Sequence, residues 1–345
     1  MKCFAYLGAC LVGACASAAP ALDPEPSKQD ELVSWAVSPV ECHGALQVAD
    51  GRVRNAKGDV VSLVGPSWFW STTGWGQEKV YNEGAVRWVA DDWQSGIVRA
   101  AISGHDDGGY VDDPDANMER ARTIIDTAIE EGLYVIVDWH SHHAEDNVEE
   151  AKTFFTEIAR DYGDTPNVIY EIYNEPLDTT DWETVIKPYS REIIETIRAI
   201  DPDNLIIIGT QTWSQRLDKA VESPLTGYSN IAYTLHFYAG KHKDDLRKIA
   251  TDALDAGLPV MVTEWGGMMH TGDGPLDPQS IQAWTDIFTE YGLTAATWSI
   301  SDKDESASAL RPGIDPRGGW TTADLTPWGK MVRSTNRAWP KACAK

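Results

Sequence analysis

The segment Tyr134–Tyr173 contains YVIV at Tyr134–Val137, VEEAKTFFTEIARD at Val148–Asp161 and VIYEIY at Val168–Tyr173. The outer two are short apolar runs of strand length, and the middle one places Val148, Ala151, Phe154, Phe155 and Ile158 on one face of a helix. Strand, helix, strand is the unit of a parallel sheet, because parallel neighbours need a crossover. The same alternation extends in both directions. Further apolar runs stand at Val60–Val64, Ile97–Ile102, Leu205–Ile208, Ile231–Leu235, Pro259–Thr263 and Thr294–Ile300, which with the first two makes eight. Helical stretches at Met118–Glu131, Asp181–Ile200, Asp244–Ala256 and Pro278–Tyr291 fall between them, many opened by Asp, Asn or Pro. Eight such repeats predict a (β/α)8 barrel. An open doubly wound sheet is the competing arrangement, but no Gly-x-Gly-x-x-Gly follows the first run. Upstream, Leu46–Val64 with turns at Asp50-Gly51 and Lys57-Gly58 reads as a short β-hairpin feeding the first strand.

The ends of the chain carry other signals. Lys2, the apolar Phe4–Cys15 and the small residues Ala16-Ser17-Ala18 predict an export signal over residues 1–18, cut near Ala18. A lipid-attachment site at Cys15 is the alternative. Residues 19–41, rich in Pro and charge, read as a flexible segment ahead of a single (β/α)8 domain at 42–345. Three of the five Cys lie in the leader, so Cys42 and Cys343 remain at opposite ends of the processed chain. In an oxidising compartment they can form a disulfide; otherwise they are two unrelated thiols. With 53 acidic against 29 basic side chains, a net charge of −24 and no basic run, the chain lacks the footprint of a nucleic-acid or anionic-membrane binder.

In a barrel of this kind the reactive groups follow the strands. The list here is Trp68, Trp70 and Trp75 after the first run, Arg99 within the second, and Asp138-Trp139-His140 after the third. The later strands contribute Tyr173-Asn174-Glu175-Pro176, Trp213, His236-Phe237-Tyr238, Thr263-Glu264-Trp265-Gly266, and Trp298 with Lys303 and Glu305 beyond it. Glu175 and Glu264 thus stand on opposite sides of the predicted mouth. Paired carboxyls suit glycoside cleavage, in which one protonates the leaving oxygen and the other attacks or supports the sugar cation. Asp138-Trp139-His140-Ser141-His142-His143 offers a metal-dependent hydrolase as a rival, with His142 and His143 read as solvated loop; a non-catalytic sugar-binding barrel is a second.

Asn174-Glu175-Pro176, Glu264-Trp265-Gly266, Arg99, Asp138-Trp139-His140 and His236-Phe237-Tyr238, in this order, resemble glycoside hydrolase family 5. Gly108-Gly109-Tyr110, Thr212-Trp213-Ser214-Gln215 and Trp298–Ser306 are similar to its bacterial-type endo-β-1,4-glucanase branch. The resemblance implies a retaining β-1,4-glucanase, with β-mannanase, xyloglucanase or mixed-linkage glucanase as alternatives. It makes Glu175 the acid and base, Glu264 the nucleophile and Asn174 a donor to the sugar 2-hydroxyl. It also implies that Arg99 and Tyr238 keep Glu264 ionised, while His140 and His236 orient the sugar or the acid. Trp298 becomes a floor, Lys303 and Glu305 contacts for the next glucose, and Trp213, Trp75 and Trp70 stacking platforms. No metal or organic cofactor is expected. The expected partner is a β-1,4-glucan, with no nucleic acid, no membrane in the processed form and a monomeric state. Pro66-Ser67-Trp68-Phe69-Trp70-Ser71 departs from the family's usual Ser-His-Gly after strand 1, which puts the contacts there in doubt.

Overall fold

A computed structural model describes residues 32–345. The export signal, its cleavage near Ala18, the Cys15 alternative and residues 19–31 of the flexible segment lie outside the described residues.

Eight strands close into a barrel: β1 Val64–Trp68, β2 Ile97–Ser103, β3 Tyr134–His140, β4 Val168–Glu171, β5 Ile206–Ile208, β6 Ile231–Tyr238, β7 Val260–Gly266 and β8 Ala295–Ile300. Every neighbouring pair is parallel, and β8 pairs with β1, which removes the open edges a doubly wound sheet would leave. All strand residues are buried, as expected of a parallel sheet covered by helices. The α-helices of six residues or more are α1 Glu83–Asp91, α2 Pro114–Glu130, α3 Val148–Tyr162, α4 Lys187–Arg198, α5 Leu217–Glu222, α6 Asp244–Asp255, α7 Pro278–Tyr291 and α8 Pro327–Ala338. Their starts follow local chemistry. Asp113, Asp277 and Thr326 each accept a backbone N–H of the first turn and are followed by a proline that needs no partner there.

The first strand lies four residues later than the apolar run suggests. Val60 instead bridges Arg54 beside the hairpin Gln47–Ala49 and Arg52–Arg54, and the barrel strand is Val-Gly-Pro-Ser-Trp. Gly65 shows why such an unpromising sequence is a strand: a Cβ there would lie 1.6 Å from the Ile97 carbonyl oxygen, so only glycine lets β1 approach β2. The hairpin seals the other end of the barrel, where Leu46, Val53 and Val61 cluster with Ile97, Ile169, Ile207 and Met261 at the starts of the strands. No helix of the described residues is long and apolar enough to cross a membrane.

Over its described part the segment before Cys42 is hydrogen-bonded to the C-terminal end of the chain and to Gln94. Val33 N–H donates to the Arg337 carbonyl (3.0 Å), Ala36 N–H to the Cys343 carbonyl (2.7 Å), and Trp35 Nε1 to the Gln94 carbonyl (3.2 Å). Cys42 and Cys343 are disulfide-bonded, with Cα atoms 5.9 Å apart across a separation of 301 residues. A bridge this long restricts the unfolded chain strongly, so replacing both cysteines by serine should lower unfolding stability by about 2–5 kcal/mol in urea titrations. Equal stability of the serine variant, or free thiols in non-reducing peptide maps, would contradict this.

Candidate active site

The mouth is organised around one cation. Arg99 on β2 is fully buried, and each guanidinium nitrogen is engaged: Nε with Glu171 Oε2 (2.7 Å), Nη1 with Glu264 Oε2 (3.2 Å) and Ser67 Oγ (3.3 Å), Nη2 with Asn174 Oδ1 (2.7 Å) and Asp138 Oδ2 (2.9 Å). Burial works against this charge, but Asp138, Glu171 and Glu264 outweigh it and hold the group protonated. The planar fork can serve five acceptors at once, which a lysine could not.

Glu264, at the end of β7, accepts from Tyr238 Oη at Oε1 (2.7 Å) and from Arg99 at Oε2. Glu175 lies just past β4. Its Oε1 is 3.0 Å from His236 Nδ1 and its Oε2 is 3.1 Å from His142 Nε2. One oxygen each of Glu175 and Glu264 and one His236 nitrogen lie within 4.8 Å of one another. Burial opposes ionisation of Glu175, yet the bonds to His142 and His236 overcome it and pull the carboxyl down to about 2. His236, for which burial is outweighed by bonds to Glu171 and Glu175, rises to about 9. Glu264 is pushed up by burial and by the charge of Glu175, against the pull of His236, Arg99 and Tyr238. The mobile proton of Glu175 therefore stays on the side of the histidines that bond it.

The remaining expected residues frame this centre. His140 Nδ1 and Asp138 Oδ2 are 2.6 Å apart and share a proton, and burial and Arg99 hold the imidazole neutral. Its ring stacks on Trp298 (5.2 Å, 3°) and meets the edge of Trp70 (4.0 Å, 87°). Lys303 Nζ bonds Glu305 and sits 4.9 Å over the Trp75 ring. Trp213 and Trp75 are 39% and 54% exposed, which is unusual for indoles and leaves ring faces free in the cleft. Thr212, Trp213 and Ser214 all have left-handed backbone (φ 60°, 52° and 55°). Bonds from Trp213 N–H to the Pro176 carbonyl (2.8 Å) and from Ser214 Oγ to the Asn174 carbonyl (2.7 Å) hold that strained turn against the Glu175 strand end. The cleft they enclose has a volume of about 670 Å³.

Two readings change. His142 is not solvated loop: it lines the cleft and bonds Glu175 Oε2. The metal set Asp138, His140, His142 and His143 does not converge either. Asp138 and His140 turn toward Arg99, His142 toward Glu175, and His143 packs against His105. Among the described residues only Glu175, His236 and Glu264 gather at metal-ligand spacing. Their donor chemistry does not fit a resident cation, since the Arg99 guanidinium lies against Glu264 and both His236 nitrogens are engaged by Glu175 and Thr263 (2.8 Å). Glu171, unremarked within its apolar run, is also part of the centre; Thr263 Oγ1 donates to its Oε1 (2.5 Å) beneath His236. A carboxylate inside a buried strand was the available signal.

The sequence profile of the cellulase family, glycosyl hydrolase family 5, matches residues 55–304. The chain is 44% identical over 308 residues to Endoglucanase Z of Dickeya dadantii, covering 89% of this chain and 68% of the relative. It is 45% identical over 260 residues to Endoglucanase A of Evansella cellulosilytica, covering 74% of this chain and only 53% of the relative. The catalytic domain of the Thermobifida fusca endoglucanase, solved in complex with cellotetraose, superimposes with a TM-score of 0.83 at 33% identity, over 88% of this chain and all of that one. The shared barrel, the ordered strand ends and these identities place the chain in glycosyl hydrolase family 5, the cellulase family.

Proposed function

We propose that the chain is an endo-β-1,4-glucanase that cleaves internal bonds with retention of configuration. The observation that carries this reading is the approach of Glu175 and Glu264 to within 4.8 Å. Retaining enzymes hold their carboxyls roughly 5–5.5 Å apart, whereas inverting ones need about 6.5–9.5 Å to admit a water. Glu264 attacks the anomeric carbon; Glu175 protonates the leaving oxygen and then deprotonates the incoming water. The proton required comes from the imidazoles that bond Glu175, His236 at 3.0 Å and His142 at 3.1 Å. Asn174 spends its carbonyl on Arg99, so its amide N–H groups are left to donate to the sugar 2-hydroxyl, a contact that tightens in the transition state. Trp298 floors the cleavage point, and Trp70, Trp75 and Trp213 offer stacking faces, with Lys303 and Glu305 at the next glucose. The substrate follows the relatives, which are endoglucanases, and the cellotetraose held by the Thermobifida domain. Export, with the leader removed near Ala18, belongs to the same proposal and suits a bridged Cys42–Cys343 pair.

Reducing-sugar release across soluble carboxymethyl cellulose, mixed-linkage glucan, xyloglucan and mannan tests the substrate. Preference for mannan would move it to the other branch of the family. Proton NMR of fresh product from a β-linked glucan should show the β-anomer first, and α-anomer first would sink the nucleophile assignment.

A further inference from the structure

Both oxygens of Glu175 are engaged, and Oε2 is the one bonded to the more exposed partner. His142 Nε2 stands 3.1 Å from Oε2, while the deeper Oε1 belongs to His236. The two histidines differ in freedom: the His236 side chain is 1% exposed, the His142 side chain 34%. His142 is placed by its backbone, whose carbonyl accepts from Tyr173 Oη (3.0 Å), and Tyr173 immediately precedes Asn174-Glu175. One strand end thus supplies both the acid and the anchor of the ring that covers it.

We propose that His142 is a positioning residue that holds Glu175 aimed and occupied while the cleft is empty and gives up Oε2 when the glycosidic oxygen of a β-1,4-glucan arrives. This rests on Glu175 being the acid of the proposed function. The exchange breaks the bond from His142 Nε2 and leaves its proton on Oε2, where it bonds the glycosidic oxygen, so the imidazole withdraws neutral and the covalent steps are unchanged. The groups facing the ring come from several elements: Glu175 past β4, Glu264 on β7, Asp106 in the loop after β2, His140 on β3, and the Trp70 ring 5.5 Å away. Burial opposes charge on His142, but the bond to Glu175 and the charges of Glu175, Glu264 and Asp106 raise it from the ordinary imidazole value.

The consequence has a definite sign. Removing a partly cationic donor from between carboxylates raises their pKa values, so in His142→Ala both limbs of the pH profile of kcat/KM should move to higher pH, by about one unit. The profile of kcat at saturating substrate should move much less, because the contact is already broken in the complex. His142→Asn, which keeps a neutral donor, should fall between, and Tyr173→Phe should shift the same way by less. A loss of kcat/KM that is equal at every pH would overturn the proposal, because a merely structural ring predicts that result. A readout independent of turnover uses ring-carbon NMR of the free protein. The His142 titration midpoint should fall in Glu175→Gln relative to wild type; an unchanged midpoint refutes the contact. Absence of wild-type hydrolysis on every glucan would defeat the glucanase reading, whereas the NMR comparison still decides the role of His142.

Discussion

Glu264→Ala should lose activity on soluble β-1,4-glucan by roughly 10⁵-fold, the scale seen when a covalent nucleophile is removed. Its carboxylate has no substitute at that point, since Tyr238 Oη and Arg99 Nη1 both point into Glu264 itself. Azide should recover part of the loss by occupying the space the carboxylate leaves. The stereochemistry of that rescue identifies the role. Azide entering from the nucleophile's side of a β-glycoside makes a single inversion and yields the α-glycosyl azide. In Glu175→Ala the covalent intermediate still forms on Glu264, so azide arrives on the opposite face and the product is the β-glycosyl azide. Substrates with good leaving groups should suffer least in that second variant, because they need little protonation. If Glu264→Ala gave the β-azide, the two roles would have to be exchanged; rescue of neither variant would argue against a glycosyl intermediate.

Most of the barrel was legible because buried parallel strands form near-continuous apolar runs, and β2, β3, β6 and β8 fall where those runs do. Strand β1 was misplaced for a physical reason. Gly65-Pro66-Ser67 lacks β-branched residues, and the strand exists because β2 passes too close for any other side chain, a tertiary fact with no local signature. The helix starts were legible from Asp, Asn and Pro, and Asp181 marks the turn Trp182–Ile186 before α4 as well, although nothing in the sequence tells that its winding is π rather than α. At the site, residues on strand ends could be found by position alone: Arg99, His140, Glu175, His236, Tyr238 and Glu264 all reach one mouth. His142 could not, because its direction in the loop after β3 is set by the Tyr173 hydroxyl on a different strand end. The turn at Trp213 is similar, being held by bonds to Asn174 and Pro176 that no spacing rule anticipates.

Arg99→Met should be the most damaging substitution away from the two glutamates, and its effect should depend on pH in a direction opposite to ordinary acid unfolding. The wild-type guanidinium lies among Asp138, Glu171 and Glu264 in a site with almost no exposure. Removing one member of a buried ion pair costs about 3–5 kcal/mol, because the partner is left charged in a poor dielectric, and here three partners are left. Burial already holds Asp138 and Glu264 up with the cation present, and without it all three carboxyls bind protons more tightly in the folded state than in the unfolded chain. Their folded pKa values are then raised, so the variant keeps its stability below the unfolded carboxyl range, near pH 4, and loses it progressively as pH rises through the folded values. Urea titrations at pH 4.5 and 7.5 should therefore show a larger deficit relative to wild type at the higher pH. Arg99→Lys restores one charge but cannot reach Glu171, Glu264, Asp138 and Asn174 together, so it should recover part of the stability. Its kcat should remain depressed on the order of 10²-fold, because Asn174 and Glu264 lose their common aiming point. A deficit equal at both pH values would mean that the three carboxyls are already protonated in the native mouth. Arg99 would then be a packing element, and the ionised state of Glu264 would need another source.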